Sequence, residues 1–150
     1  MNLELKIPPP IVLLVVGCGM WGVAKVGPLV SVPGGAVFGV LLMIAGFVLN
    51  IAGVMTVRRA KTTFNPLRPD TTTALVSTGL FGVSRNPMYL AMLIVLLGWA
   101  VYLSSPASLV GPVVFVLYIN RFQIVPEERA LSSLFGASFA EYTSKVRRWV

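Results

Sequence analysis

The 150-residue sequence contains no histidine, a single cysteine, Cys18, and only five acidic residues. Without histidine, the chain lacks the commonest general base and the commonest metal ligand. A single cysteine excludes an internal disulfide bond and a metal site built from cysteines. We therefore expect no bound metal.

Charge is also scarce, because charged residues make up 11% of the chain, hydrophobic residues make up 56% and the mean hydropathy is +0.85. A soluble domain of this size cannot bury so much apolar surface, so the expected surroundings are a lipid bilayer. The 12 Lys and Arg residues give a net charge of +7. The interleaved basic and aromatic residues of an RNA-binding protein are missing. We expect basic flanks of membrane helices and no nucleic-acid partner.

Four apolar segments predict an all-α, polytopic integral membrane protein that forms one membrane domain over residues 1–150. Residues 9–26 and 34–57 have the length of about 17–25 residues that a membrane span needs. Residues 87–103 and 107–119 are shorter and are joined by a turn signal at 104–108. We expect them to form a helical hairpin whose second helix continues to about residue 121 and beyond.

Small residues in these segments admit more than one interpretation. Gly35, Gly39, Gly46 and Gly53 would let helices approach closely, which favours packing and permits, without requiring, an oligomer.

The letters VVGC ending at Cys18 loosely resemble a lipoprotein cleavage box. Cleavage there would remove the first span, and the preceding prolines are unusual in a signal peptide, so we interpret Cys18 as a small residue in a packed helix.

Basic residues are distributed unevenly among the connecting segments. The loops at 27–33 and 104–106 contain no Lys or Arg, and only Lys25 borders them. The segment between the second and third spans, and the segment after the fourth, contain ten of the twelve basic residues: Arg58, Arg59, Lys61, Arg68, Arg85, Arg121, Arg129, Lys145, Arg147 and Arg148. The positive-inside rule predicts that both termini and the middle loop are cytoplasmic.

Two polar motifs lie at the cytoplasmic ends of the predicted hairpin. Arg85, Asn86 and Pro87 precede the third span, where Asn86 could cap a helix starting at Pro87 and Arg85 could extend to lipid phosphates. Glu127 and Glu128 follow Pro126, where a helix dipole favours negative charge. These local explanations are available for each motif alone. Together, the motifs indicate a site, since charged groups near a membrane usually face a cavity.

Apolar residues recur at helical spacing after the acidic pair, at Leu131, Leu134, Phe135, Phe139 and Tyr142. This pattern predicts an amphipathic C-terminal helix on or beneath the cytoplasmic face of the membrane.

The half of the chain from Ala74 to the C-terminus resembles the isoprenylcysteine carboxyl methyltransferase family and, more loosely, the membrane phospholipid N-methyltransferases. The resemblance rests on features in order: ALVSTGLFGVSRNPMY, a helical hairpin, EERALSSLFG, then a tyrosine and a basic C-terminus. It implies an integral membrane methyltransferase that uses S-adenosylmethionine, with the cofactor pocket in residues 74–150 on the cytoplasmic side.

The resemblance also implies roles for individual residues. Glu127 or Glu128 would accept hydrogen bonds from the cofactor's ammonium or ribose hydroxyls, and Asn86 with Pro87 would shape the wall around its amino-acid portion. Tyr89 would contribute packing or a hydroxyl group. The remaining expected site residues are catalytic and would hold an anionic substrate or neutralise the cofactor carboxylate: Arg85 and Lys145.

Two positions depart from the family pattern. Asn86 stands where many members have histidine, and an amide can donate and accept hydrogen bonds but cannot act as a base. Lys145 stands where an arginine is usual and lacks the bidentate guanidinium fork. The absence of histidine favours a substrate that is already anionic, or one that loses its proton to Glu, Tyr or water.

Several alternatives stay open from the sequence. A prenylcysteine, a phospholipid amine, a small thiol or a quinone-like lipid could accept the methyl group. A four-helix transporter would need an ionisable group within a span, and the four predicted spans contain no Asp or Glu. A non-catalytic membrane adaptor, or a related chemistry such as sterol reduction, would keep the fold with another function.

Overall fold

The computed structural model describes residues 4–59 and 74–150, and this part of the chain is helical without β-strands. Five α-helices follow in order: α1 Pro9–Val26, α2 Gly35–Arg59, α3 Pro87–Leu103, α4 Val110–Ile119 and α5 Val125–Lys145. The predicted all-α membrane architecture is confirmed, since α1, α2 and the helical run Pro106–Lys145 are long and apolar enough to cross a bilayer. The 17-residue α3 is a shorter apolar helix, as expected.

Helices α2 and α3 pack closely because glycines remove side chains from their interface. A Cβ atom at Gly39 would lie 2.7 Å from the carbonyl oxygen of Gly98, and one at Gly46 would lie 2.7 Å from that of Ala91. Gly35 and Gly53 are buried in the same helix. The glycine pattern in the second span therefore packs against the third span within this chain. Large side chains on the opposite surface of α2, including Leu41 and Val48, are exposed, as expected for a surface facing lipid.

The hairpin between the third and fourth spans is present. Ser104, with φ of 51°, ends α3, and a short 3-10 turn at Pro106–Leu109 leads into α4. The hydroxyl of Ser108 donates to the carbonyl oxygen of Ser105 at 2.6 Å. Helix α3 forms the centre of the main core, where its Leu96 and Ala100 pack with Val12 and Met20 of α1.

The predicted continuation of the fourth helix is confirmed, but not as one regular α-helix. A π-helical turn at Asn120–Ile124, hereafter the π-turn, separates α4 from α5. Within α5, Gly136 has φ of 48° and ψ of −117°, so the helix kinks there, in a conformation that favours glycine. The expected apolar face is largely confirmed, as Phe139 and Tyr142 are buried while Leu131 and Phe135 pack beside them. Leu134 is exposed, contrary to the expected pattern.

The N-terminus, the start of α3, the π-turn and the C-terminus meet at one end of the molecule. The backbone NH of Leu5 donates to the carbonyl oxygen of Phe122, and that of Arg85 donates to Arg147, both at 3.0 Å. At the other end, Val30 donates to the carbonyl oxygen of Ser104. Lys61 and Arg68, on which the predicted orientation partly depends, lie outside the described residues.

Candidate functional site

The first turns of α3 and α5 bring the two predicted motifs together. Pro87 occupies the start of α3, where proline lacks only an NH that a helix would leave unpaired. Pro126 follows the π-turn within one continuous helical run, so it has no NH for the carbonyl oxygen of Phe122, which accepts from Leu5 instead. Tyr89 therefore lies in the first turn of α3, and Glu127 and Glu128 lie in the first turn of α5. Residues separated by about forty positions in the sequence form one polar cluster between two membrane helices.

Tyr89 and Glu127 form the buried part of this cluster. Their exposed fractions are 2% and 6%, and the phenol oxygen of Tyr89 donates a hydrogen bond to Oε1 of Glu127. A buried carboxylate without a donor is strongly disfavoured, so this bond stabilises the position of the Glu127 side chain. The contact directs an acidic group into the interior at the base of the cluster.

Glu128 forms the outer part and is shared by two arginines. Nη2 of Arg85 lies 3.0 Å from its Oε1, and Nη2 of Arg148 lies 2.5 Å from its Oε2. Nε of Arg148 donates to Oε1 at 3.1 Å, so the Arg148–Glu128 pair has the two-pronged geometry that arginine favours. Nε of Arg85 is buried and has no hydrogen-bond partner. The cluster therefore has two guanidinium groups around one carboxylate, and the NH at Nε of Arg85 is a donor without a partner.

Asn86 does not act as predicted by the local explanation. Its side chain makes no capping hydrogen bond to α3; instead its Nδ2 donates to the carbonyl oxygen of Arg148 at 2.9 Å. The buried hydroxyl of Ser84 accepts from the backbone NH of Asn86 at 3.1 Å and lies 3.4 Å from the same carbonyl oxygen. Arg85 likewise is mostly buried against Glu128 and does not extend to lipid phosphates.

Lys145 lies apart from the cluster. Its side chain is 68% exposed and contacts Glu141, one helical turn earlier, at 2.6 Å. Helix α5 ends at Lys145, and the chain then turns into an extended conformation at Val146. That turn carries Arg148 back to Glu128. The structure thus brings together Arg85, Asn86, Pro87, Tyr89, Glu127 and Glu128, while Lys145 is replaced in this group by Arg148.

Three residues around the site were missed by sequence reasoning: Ser84, Asn120 and Arg148. Trp149 donates from Nε1 to Oδ1 of Asn120 at 3.2 Å, which attaches the C-terminal tail to the π-turn. The consecutive arginines 147 and 148 were a visible signal for a basic tail. Their sequence spacing does not reveal which of the two points inward.

An apolar cleft of about 550 Å³ opens among α1, α2 and α3. Its walls include Leu13, Cys18, Phe47 and Trp99. The indole NH of Trp99 donates to the carbonyl oxygen of Gly17 at 3.0 Å, which joins α3 to α1 beside the cleft. Because its lining is almost entirely hydrocarbon, the cleft suits a lipid chain rather than a polar ligand.

Residues 4–59 and 74–150 contain no group of three or more His, Cys, Asp and Glu side chains placed to hold a metal ion. The polar cluster is instead made of paired carboxylates, arginines, an amide and a phenol, which suit an organic ligand with charged ends.

Fold and site together describe a polytopic membrane protein with a polar cluster between helices at one end. The family model for phospholipid methyltransferases matches residues 35–138. The chain belongs to this family of methyltransferases, and the methyltransferase relationship inferred from the two motifs is confirmed.

Among individual proteins, this chain is 30% identical over 109 residues to protein-S-isoprenylcysteine O-methyltransferase B of Arabidopsis thaliana, covering 73% of this chain and 55% of the relative. It is 30% identical over 113 residues to protein-S-isoprenylcysteine O-methyltransferase of Saccharomyces cerevisiae, covering 73% and 46%. It is also 44% identical over 63 residues to an uncharacterized protein of Haemophilus influenzae, covering 42% of this chain and all of the relative. No solved structure gave a significant match.

The chain spans about half the length of the plant and yeast relatives that it matches. The similarity to the isoprenylcysteine enzymes agrees with the resemblance to that family seen from residue 74 onward. The match to the phospholipid methyltransferase family model agrees with the looser resemblance to membrane phospholipid N-methyltransferases.

Proposed function

We propose that this protein is an S-adenosylmethionine-dependent membrane methyltransferase whose acceptor is lipophilic and ends in an anionic group, as in isoprenylcysteine carboxyl methylation. The observation that carries the proposal is the meeting of the two motifs, in which Tyr89 contacts Glu127 and Arg85 contacts Glu128. A helix cap at Asn86 or a helix-dipole effect at the acidic pair would involve only neighbouring residues. Neither explains why Tyr89 contacts Glu127, 38 positions later, or why Arg85 contacts Glu128, 43 positions later.

The residues present fit the cofactor. S-adenosylmethionine presents an ammonium, a carboxylate and ribose hydroxyl groups, and it supplies a methyl group activated by a sulfonium centre. Glu127 and Glu128 provide acceptors for the ammonium and hydroxyl groups, and the unpartnered Nε of Arg85 provides a donor for an anion. Glu127 is 6% exposed, so the surrounding side chains leave little room for solvent at the inner end of the site.

Asn86 and Pro87 are proposed to form the wall beside the cofactor's amino-acid portion. Asn86 does so by holding the C-terminal tail in place. Because an amide cannot take up a proton, this wall suits an acceptor that is already deprotonated. Tyr89 orients Glu127 through its hydroxyl group.

The anionic end of the acceptor is proposed to lie near Arg85 and Arg148. Lys145 was expected to share this role, but its exposed position and its pairing with Glu141 favour Arg148 instead. A guanidinium can bind a carboxylate with two parallel hydrogen bonds, which an ammonium cannot. The hydrocarbon part of the acceptor would lie in lipid or in the apolar cleft lined by α1, α2 and α3.

The site and both termini are proposed to be cytoplasmic. Support comes from the clustering of Arg58 and Arg59 at the end of α2 and of Arg85, Arg121 and Arg148 at the same end of the molecule. Lys25 is the basic residue in the last turn of α1, at the opposite end. The positive-inside rule assigns the more basic end to the cytoplasm.

The first experiment measures binding of S-adenosylhomocysteine to the purified protein by calorimetry. We expect saturable binding that is weakened at least about tenfold in Glu127→Gln and Glu128→Gln, since each loses a charge-assisted hydrogen bond. Ser133→Ala, on an exposed part of α5, is the matched control. The cofactor assignment would be contradicted if the wild-type protein did not bind, or if both Glu variants bound as tightly as the wild type.

The second experiment identifies the acceptor by transfer of a labelled methyl group. A prenylcysteine analogue with a free carboxylate, the same analogue as its amide, and a phosphatidylethanolamine vesicle are compared. Labelling of the free carboxylate alone supports the proposal. Labelling of the phospholipid would favour amine methylation, and cofactor binding without transfer to any acceptor would favour a non-catalytic adaptor.

A further inference from the structure

The segment that precedes α1 binds directly to the π-turn that leads into the acidic pair. This segment, residues 4–8, is hereafter the N-terminal strap. The backbone NH of Leu5 donates to the carbonyl oxygen of Phe122 at 3.0 Å, and Nε2 of Gln123 donates to the carbonyl oxygen of Ile7 at 2.7 Å. Gln123 is fully buried. The strap lies outside residues 35–138, which match the family model.

Ion pairs extend this contact to both sides of the acidic pair. Oε1 of Glu4 lies 2.5 Å from Nη1 of Arg121, and its Oε2 lies 2.8 Å from Nη2 of Arg129. Arg121 lies within the π-turn, and Arg129 directly follows Glu128. The hydrogen bond from Arg121, followed by the interaction with Arg129, lowers the pKa of Glu4. One side chain of the strap thus contacts the chain before and after the site carboxylates.

The π-turn determines the direction in which those carboxylates point. A π-turn amounts to one extra residue in an α-helix, and each α-helical residue rotates the chain by about 100°. If the π-turn at Asn120–Ile124 relaxed to regular α-helix, the first turn of α5 would rotate by about that angle relative to α4. Glu127 would then leave Tyr89, and Glu128 would leave Arg85.

A π-turn is rare, and this one leaves the carbonyl oxygen of Phe122 without an α-helical donor because Pro126, four residues later, has no NH, so the turn needs support from outside the helix. The strap supplies that support by donating to Phe122 and accepting from Gln123. We infer that the N-terminal strap is a positioning element of the site, in which Gln123 and Glu4 hold the π-turn so that Glu127 and Glu128 face Tyr89 and Arg85. The link to cofactor binding rests on the proposed function; the link between strap and π-turn does not.

The test compares Gln123→Met and Glu4→Gln with the wild-type full chain in detergent micelles. Gln123→Met keeps the side-chain length and removes the NH donor. Glu4→Gln removes the partly exposed carboxylate that pairs with the exposed side chains of Arg121 and Arg129. Lys6→Gln is the matched control, because Lys6 belongs to the same strap and is exposed. Hydrogen–deuterium exchange of residues 119–128 and the Kd for S-adenosylhomocysteine are measured at a temperature where each variant is folded.

We expect Gln123→Met to accelerate exchange in residues 119–128 and to raise the Kd, each by about five- to tenfold, which corresponds to one buried hydrogen bond. Glu4→Gln should have a smaller effect of about two- to threefold, because solvent screens exposed ion pairs. Glu4→Asp keeps the charge and should change the exchange rate and the Kd less than Glu4→Gln does. Lys6→Gln should match the wild type in both measurements. A strap that only adds stability would lower the unfolding temperature without changing the Kd of the folded protein.

Wild-type exchange and wild-type Kd in both variants would overturn the inference. If Gln123→Met does not fold, the result for Glu4→Gln decides, because Glu4 is partly exposed and its arginine partners are exposed. If the wild-type protein does not bind S-adenosylhomocysteine, the proposed function fails, and the exchange of residues 119–128 alone decides whether the strap holds the π-turn.

Discussion

The side-chain amide of Asn86 donates a hydrogen bond to the carbonyl oxygen of Arg148 at 2.9 Å, across 62 positions of the sequence. The backbone NH of Arg85 donates in parallel to Arg147 at 3.0 Å. These bonds attach the last residues of the chain to the loop before α3. Arg148 consequently reaches Glu128, and the C-terminal tail is part of the polar cluster.

Removal of the Asn86 amide should release this tail. In Asn86→Ala the carbonyl oxygen of Arg148 loses its best donor, at a cost of about 0.5–1.5 kcal/mol. We expect residues 146–150 to be digested about two- to tenfold faster by carboxypeptidase. Arg147→Ala, which keeps the backbone bonds and changes an exposed side chain, is the control. Equal digestion of Asn86→Ala and the wild type would show that the amide does not hold the tail.

Arg148 and Lys145 should differ in their contribution to stability. Arg148→Ala leaves Glu128 with one arginine and should destabilise the protein by about 1 kcal/mol, a value reduced for partial exposure of the arginine. Lys145→Ala removes only an exposed pair one helical turn apart and should change stability by about 0.3–0.5 kcal/mol or less. Thermal unfolding in detergent measures both. If Lys145→Ala destabilised the protein more than Arg148→Ala, the conclusion that Arg148 and not Lys145 contacts Glu128 would be contradicted.

Tyr89 and Glu127 should be energetically coupled. Tyr89→Phe keeps the aromatic ring and leaves a buried carboxylate without its donor, which should destabilise the protein by about 1–3 kcal/mol. In a Glu127→Met background, the same substitution should have much less effect, because no carboxylate is left unpaired. A double-mutant cycle based on unfolding free energies measures the difference. Additive effects would mean that the hydrogen bond contributes nothing.

Glycines between α2 and α3 should be intolerant of a methyl group. Gly46→Ala would place a Cβ atom 2.7 Å from the carbonyl oxygen of Ala91, and the backbones would have to separate. We expect destabilisation of about 1–3 kcal/mol, typical of overpacking. Gly22→Ala, with nothing within 4 Å, is the control, and its helix should be unchanged or slightly stabilised. The unfolding midpoints of the two variants distinguish these outcomes.

Much of the architecture follows from local chemistry and was predictable from the sequence. Long apolar runs require helices that satisfy their own backbone hydrogen bonds in lipid, which determined α1, α2 and the hairpin. Pro87 determined where α3 begins. The sequence motifs around Pro87 and Pro126 predicted six candidate site residues that the fold brings together: Arg85, Asn86, Pro87, Tyr89, Glu127 and Glu128.

Other features depended on contacts that sequence patterns do not encode. Lys145 was predicted in the site, but Val146 leaves the helix and redirects the chain, so that Arg148 is the residue that returns. Asn86 was available as a helix cap, and its amide instead binds a carbonyl oxygen brought close by the tail. The π-turn could not be placed from the sequence alone, because Pro126 only removes a local donor while the partners that complete the turn lie in a strap more than a hundred positions away.

The sequence by itself determined that this protein lies in a lipid bilayer and which polar side chains its motifs contain. Its composition requires a bilayer, and its motifs specify carboxylates, arginines, an amide and a phenol without histidine. Tertiary structure decided which of these groups face one another. A shift of one residue in a helix rotates every later side chain by about 100°, so the direction of Glu127 and Glu128 depends on a turn stabilised from both ends of the chain.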